Sequence, residues 1–123
     1  MVGDSGGNYR PLLLSCSGAC VLGQVANMAA IELAEENFGR LLCASGQAAG
    51  VPWILEALRE SRCTVGIDGS GARCIQHAMI RAGFPQALFL TVEQLGIRNK
   101  PGFYVHTREV ESVKDAVRSL VLC

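Results

Sequence analysis

Charge of one sign, long apolar runs and the fingerprints of familiar catalytic loops are all missing from this chain of 123 residues. Eleven Lys plus Arg balance eleven Asp plus Glu, for a formal net charge of zero with no long run of either sign. That removes the electrostatic footprint of a nucleic-acid binder. No stretch approaches the ~18 apolar residues of a membrane span, and the opening "MVGDSGGNYR" lacks the basic-then-apolar pattern of a secretory signal. A soluble cytoplasmic protein with no membrane partner is the expectation. A phosphate-binding Cys-x5-Arg loop counted from Cys16 would need Arg where the chain has Leu22. A Gly-x-Gly-x-x-Gly dinucleotide loop fails too, since "SCSGACVLG" offers Gly18 and Gly23, and "SGQAAG" offers Gly46 and Gly50, at the wrong spacings.

What is present is enough for one domain over residues 1–123, with 1–10 as a flexible tail. A chain of this length buries roughly two-thirds of its unfolded surface and needs no disulfides to stand. Its six cysteines are kept reduced in the cytoplasm, where clustered thiols point to metal binding or redox chemistry.

The apolar segments alternate in kind. "PLLLSC", "RLLCAS", "TVGID" and "QALFLTV" read as short buried strands. Between them, "CVLGQVANMAAIELAEENFG" is dense in helix formers and stops at Gly39, and "VPWILEALRES" starts on Pro52 with Ile54, Leu55 and Leu58 on one face. "ARCIQHAMIRAG" turns Cys74, Ile75, Ala78, Met79 and Ala82 inward and stops at Gly83. After the irregular "EQLGIRNKPGF", a last helix capped by Thr107 buries Val110, Val113, Val117, Leu120 and Val121. This order predicts an α/β domain: a small doubly wound, mainly parallel sheet of about four strands in the order 2-1-3-4, with helices on both faces. Ligands of such sheets bind at the carboxyl ends of the strands.

Cysteines collect at that edge. Cys16 and Cys43 end the first two strands, Ser70 follows the third, and both intervals are 27 residues. Cys20 and Cys74 each lie four residues past a strand-end position, in the first turn of the next helix. Strands ~4.8 Å apart suit sulfurs roughly 3.8 Å apart around a tetrahedral zinc. The candidate metal ligands are therefore Cys16, Cys20, Cys43 and Cys74. Cys63 begins its strand at the opposite edge and Cys123 is the last residue, so both are bystanders. A single Cys is more often a packed small hydrophobe than a ligand, and the argument rests on four at one edge. His77 and His106 read as ordinary helix-surface residues. Asp68 reads equally as a general base and as a turn former before Gly69. Ser17, Gln24, Asn27 and Ser45 could line the crevice or simply cap and pack, and Trp53 reads as half-buried core.

The segments "LLLSCSGACVLGQVAN", "RLLCASGQAAGVP" and "GIDGSGARCIQHAMIRAGF" together resemble the DGC-domain family, described as zinc-binding and named for an Asp-Gly-Cys motif. The resemblance implies a zinc site built from cysteines, with Cys16, Cys43 and Cys74 at matching positions. The chain departs from it at Ser70, where "IDGS" replaces "IDGC"; Cys20 then becomes the sulfur that keeps the ligand count at four. The functional expectation is a zinc-binding domain. The alternatives are a thiol-based redox or nucleophilic enzyme using Cys16, with Cys20, Cys43 or Cys74 resolving, and an adaptor whose thiols are simply buried.

Overall fold

In the computed structural model, which describes residues 10–121, the strands are short because each apolar run is short. They are β1 (Leu12–Ser15), β2 (Arg40–Leu41), β3 (Thr64–Asp68) and β4 (Leu88–Thr91). All pair in parallel in the order β2-β1-β3-β4, the expected one. The helices are α1 (Val21–Glu35), α2 (Ala44–Ala48), α3 (Pro52–Glu60), α4 (Cys74–Arg81) and α5 (Thr107–Leu120), with a 3-10 turn at Val92–Leu95. The tail expected over residues 1–10, Arg10 apart, lies outside the described residues, as does Cys123.

Alternation along the strands sends successive side chains to opposite faces. Leu13, Val65 and Ile67 join α1 and α5 in one apolar cluster, while Leu12, Leu14 and Leu42 join α3 and α4 in another. Gly66 belongs to the second face. A Cβ there would stand 2.9 Å from Ile75 Cγ2 and 3.0 Å from Phe89 Cδ1, so glycine lets α4 and β4 close over the sheet.

Several expected boundaries move. "RLLCAS" pairs only at Arg40–Leu41, because Ala44, expected within the strand, already opens α2, a helix not expected from the sequence. The first helix ends at Glu35, and Asn37 with φ 63° takes the left-handed position expected of Gly39. Gly39 is small for another reason: a Cβ there would meet Leu13 Cγ at 2.8 Å. Gly83, with φ 95°, ends α4 as expected. His106, not Thr107, is the cap residue of α5. Trp53 is 59% exposed rather than half-buried, and Ala82 and Cys74 face solvent rather than the core.

α1 and α5 are pinned by a charge network inside their seam. Lys114, 3% exposed, donates to Glu32 Oε1 (3.0 Å), Glu36 Oε2 (2.5 Å) and Glu111 Oε2 (3.1 Å). All three ammonium donors are thereby used.

Candidate metal centre

Parallel strands put the loops after β1, β2 and β3 at one edge, and three of the candidate thiols emerge there. Cys16 follows β1, Cys43 follows β2, and Cys74 opens α4 above β3. The β1–β2 ladder pairs Leu13 with Leu41 and continues through Leu42 N–H to Leu13 O (2.8 Å), so Cys16 and Cys43 leave neighbouring strands at similar heights.

Each sulfur near the sheet accepts a local hydrogen bond. Gly18 N–H donates to Cys16 Sγ at 3.2 Å. Cys43 is the cap residue of α2: Gly46 N–H donates to its Sγ at 3.4 Å, and Ser45 Oγ lies 3.3 Å from the same sulfur. The Ser45 hydroxyl, and then the Gly46 N–H, hold the Cys43 thiol below its ordinary pKa, because bonds accepted by sulfur favour the thiolate. Cys43 also lines a crevice of about 370 Å³ with Ser15, Ser17, Asn27, Leu41, Leu42, Ala44 and Ser45. Sequence reading did not find the Ser45–Gly46 cradle. Its signal was the small-residue run after Cys43, which reads as a loop until Cys43 is seen as a helix cap.

The third position is organised differently. Asp68, 2% exposed, accepts from Ile75 N–H (2.8 Å) and Gln76 N–H (3.1 Å) through its two carboxylate oxygens. Both bonds go to the first turn of α4, so Asp68 caps that helix and fixes the turn that carries Cys74. Ser70 Oγ accepts from Ala72 N–H at 3.3 Å and thus holds its own loop. Gly69 brings that loop against α1: a Cβ at Gly69 would lie 2.5 Å from Gly23 N, and one at Gly23 would lie 2.5 Å from Gly18 N. The first turn of α1 is therefore packed backbone to backbone between the loop after β3 and the loop after β1.

Cys20 is the cap residue of α1, and its thiol packs toward the α1–α5 cluster, whereas Cys16 packs toward the opposite face. Among the described residues, no three His, Cys, Asp or Glu side chains converge closely enough to hold a metal ion. The donor chemistry fits zinc, since soft thiolates near backbone N–H groups are zinc ligands, but the side chains as oriented do not surround one point. Gln24 Nε2 donates to Ser17 O (3.3 Å) and Gly18 O (3.0 Å), and Ser15 Oγ donates to Asn27 Oδ1 (3.0 Å), so both amides brace the β1–α1 loop. His77 is exposed on α4, and Tyr104 stacks edge-on against His106. Cys63 sits at the amino edge beside a hollow of about 240 Å³.

A family model described as the DGC domain matches residues 12–117. The chain belongs to the DGC-domain family. This DGC domain is 26% identical over 101 residues to the anaerobic and virulence modulator AnvM of Pseudomonas aeruginosa, an alignment covering 82% of this chain and 77% of AnvM. No solved structure matches the chain. No helix among the described residues is long and apolar enough to cross a membrane.

Proposed function

We propose that this DGC domain is a cytoplasmic zinc-binding domain in which Cys16, Cys43 and Cys74 hold one ion and Cys20 supplies the sulfur that Ser70 lacks. The observation that carries this reading is the emergence of Cys16 and Cys43 from neighbouring parallel strands, each sulfur already accepting a backbone N–H. Bound there, zinc would neutralise the thiolates and tie the loops after β1, β2 and β3 together. The chain's own residues prepare the edge: Gly18 and Gly46 N–H groups orient two sulfurs, and Asp68 fixes the turn that bears Cys74. Cys20 leans toward the α1 side, so its participation requires the β1–α1 loop to turn it. A binding role is in keeping with AnvM being named a modulator.

The test is metal content on protein purified without air. About one zinc per chain is expected. Cys20→Ser should remove most of it, adding Ser70→Cys should restore it, and Cys63→Ser at the far edge should leave it unchanged. Metal-free protein with reactive thiols, even after anaerobic reconstitution with zinc, would end the proposal. A second reading, thiol redox chemistry, draws on the depressed Cys43 thiol, and its nucleophile would then be Cys43 rather than Cys16.

A further inference from the structure

α2 packs on α3 through Gly46, where a Cβ would lie 2.3 Å from Ile54 Cδ1, and on α4 through Gln47. It has five residues, and Gln47 is the one it buries. Gln47 Nε2 donates to Ala78 O of α4 at 3.2 Å, while Gln47 Oε1, fully enclosed, has no hydrogen-bond partner. Beside this contact a hollow of about 400 Å³, lined by Gln47, Ala48, Gly50, Leu55, Ala78 and others, separates the helices further along. One side-chain bond thus crosses the α2–α4 seam, with an unmet acceptor inside it and open space beside it.

The thiols lie at one end of that seam. Cys43 precedes Gln47 by four residues, and Cys74 precedes Ala78 by four. Residues four apart share a helix face, so Cys74 stands on the stripe of α4 that meets α2, one turn before the contact. α2 follows β2 and α4 follows β3 in a parallel sheet, so both helices start at the carboxyl edge and Cys43 and Cys74 occupy that end. Packed helix axes about 8–10 Å apart bring directly facing Cα atoms to roughly 3.5–5.5 Å, which overlaps the range a disulfide spans. Both residues are exposed.

We infer that Cys43 and Cys74 form a reversible disulfide that locks α2 onto α4 and withdraws two thiols from the carboxyl edge. The oxidant class is a low-molecular-weight disulfide, R–S–S–R. The Cys43 thiolate attacks one of its sulfurs, forming a Cys43–S–S–R bond and expelling RS⁻. Cys74 then gives up its proton and attacks the Cys43 sulfur, forming the Cys43–Cys74 bond and expelling the second RS⁻. Two cysteines are oxidised, one external disulfide is reduced to two thiols, and the cysteine protons end on those thiols. Since these two sulfurs also belong to the proposed metal set, closure would switch that site off. The inference shares those residues with the zinc reading, and the disulfide itself does not depend on zinc.

The experiment is incubation of the reduced full chain with oxidised glutathione, alkylation of remaining thiols, and non-reducing tryptic mass spectrometry. Cleavage after Arg40, Arg59, Arg62, Arg73 and Arg81 separates the cysteines: Cys43 lies in Leu41–Arg59, Cys74 in Cys74–Arg81, Cys63 in Cys63–Arg73, and Cys16 and Cys20 in the peptide ending at Arg40. The expected product joins Leu41–Arg59 to Cys74–Arg81, is lost in Cys43→Ser and Cys74→Ser, and persists in Cys16→Ser. A Cys43 link to the peptide ending at Arg40, a glutathione adduct that never resolves, or loss of the bond in Cys16→Ser would overturn it. Zinc content of the reduced chain, measured in parallel, separates the two ideas. A chain that binds zinc but closes no such bond ends only this inference, and one that closes the bond without binding zinc ends only the metal reading.

Discussion

On one face of the sheet, α1 and α5 lie over fifteen buried apolar side chains; on the other, α2, α3 and α4 cover eight. The first face has the two longest helices, of fifteen and fourteen residues, and a seam closed by the Lys114 network. The second has helices of five, nine and eight residues, the unpartnered Gln47 acceptor and an open hollow between α2 and α4. Burial scales with stabilisation, so the first face is expected to act as the anchor and the second to be held less firmly. The two exposed thiols among the described residues, Cys43 and Cys74, stand at the starts of α2 and α4 on the second face.

The largest expected effect that would break this contrast comes from emptying each core in turn. Leu33 and Met79 are both fully buried, one on each face. Leu33→Ala should cost about 3–4 kcal/mol in urea unfolding, and Met79→Ala about 2, because short helices beside open space can settle into the cavity. An equal or larger loss at Met79 would remove the distinction between the anchor and the less firmly held face.

A smaller effect sharpens it at the edge. Asp68→Ala removes the cap that accepts from Ile75 and Gln76 and should cost about 1–2 kcal/mol. Hydrogen exchange should accelerate in the first turn of α4 while α1 and α5 amides stay protected. Uniform acceleration across both faces would show that α4 is not separable from the anchor.

The smallest effect is a pH dependence confined to the anchor. Lys114, followed by Arg118, holds Glu36 below the ordinary carboxylate value of 4.5, and the Glu36 and Glu32 carboxylates raise Lys114 above its ordinary 10.5. A depressed carboxylate contributes stability above its unfolded pKa and loses it as pH falls through the folded one; a raised lysine contributes below its unfolded pKa and loses it as pH rises through the folded one. The network therefore stabilises between these limits. The Tm, followed by circular dichroism, should fall as pH drops below 4.5, and Lys114→Met should flatten that limb. An unchanged acid limb in the variant would place the sensitivity elsewhere. Glu36 is exposed to solvent, so the effect should shrink with added salt.

Much of this was legible in the residues, and particular elements show why. "PLLLSC" and "TVGID" are too short and too apolar for anything but buried strands, and Val110, Val113 and Val117 mark one face of the last helix. Both readings rest on periodicity along a few residues. The strand order followed because right-handed crossovers leave few arrangements. The position of Cys16, Cys43 and Cys74 at one edge followed from strand direction alone.

What escaped depends on residues far apart in sequence or on one turn of backbone. α2 was missed because "ASGQA" has no apolar stripe, and its start is set by the Cys43 cap. The buried Lys114 had no signal along the chain, since only the packing of α5 on α1 brings it to Glu32 and Glu36. Gly39 looked like a helix stop, but what keeps it glycine is Leu13 on β1. Local pattern thus determined the strands' approximate places, the helices that carry an apolar stripe, and the edge at which Cys16, Cys43 and Cys74 emerge. Tertiary structure decided where each sulfur points, which carboxylate caps α4, and how unequally the two faces are held, because those depend on distances between elements that no spacing along the chain encodes.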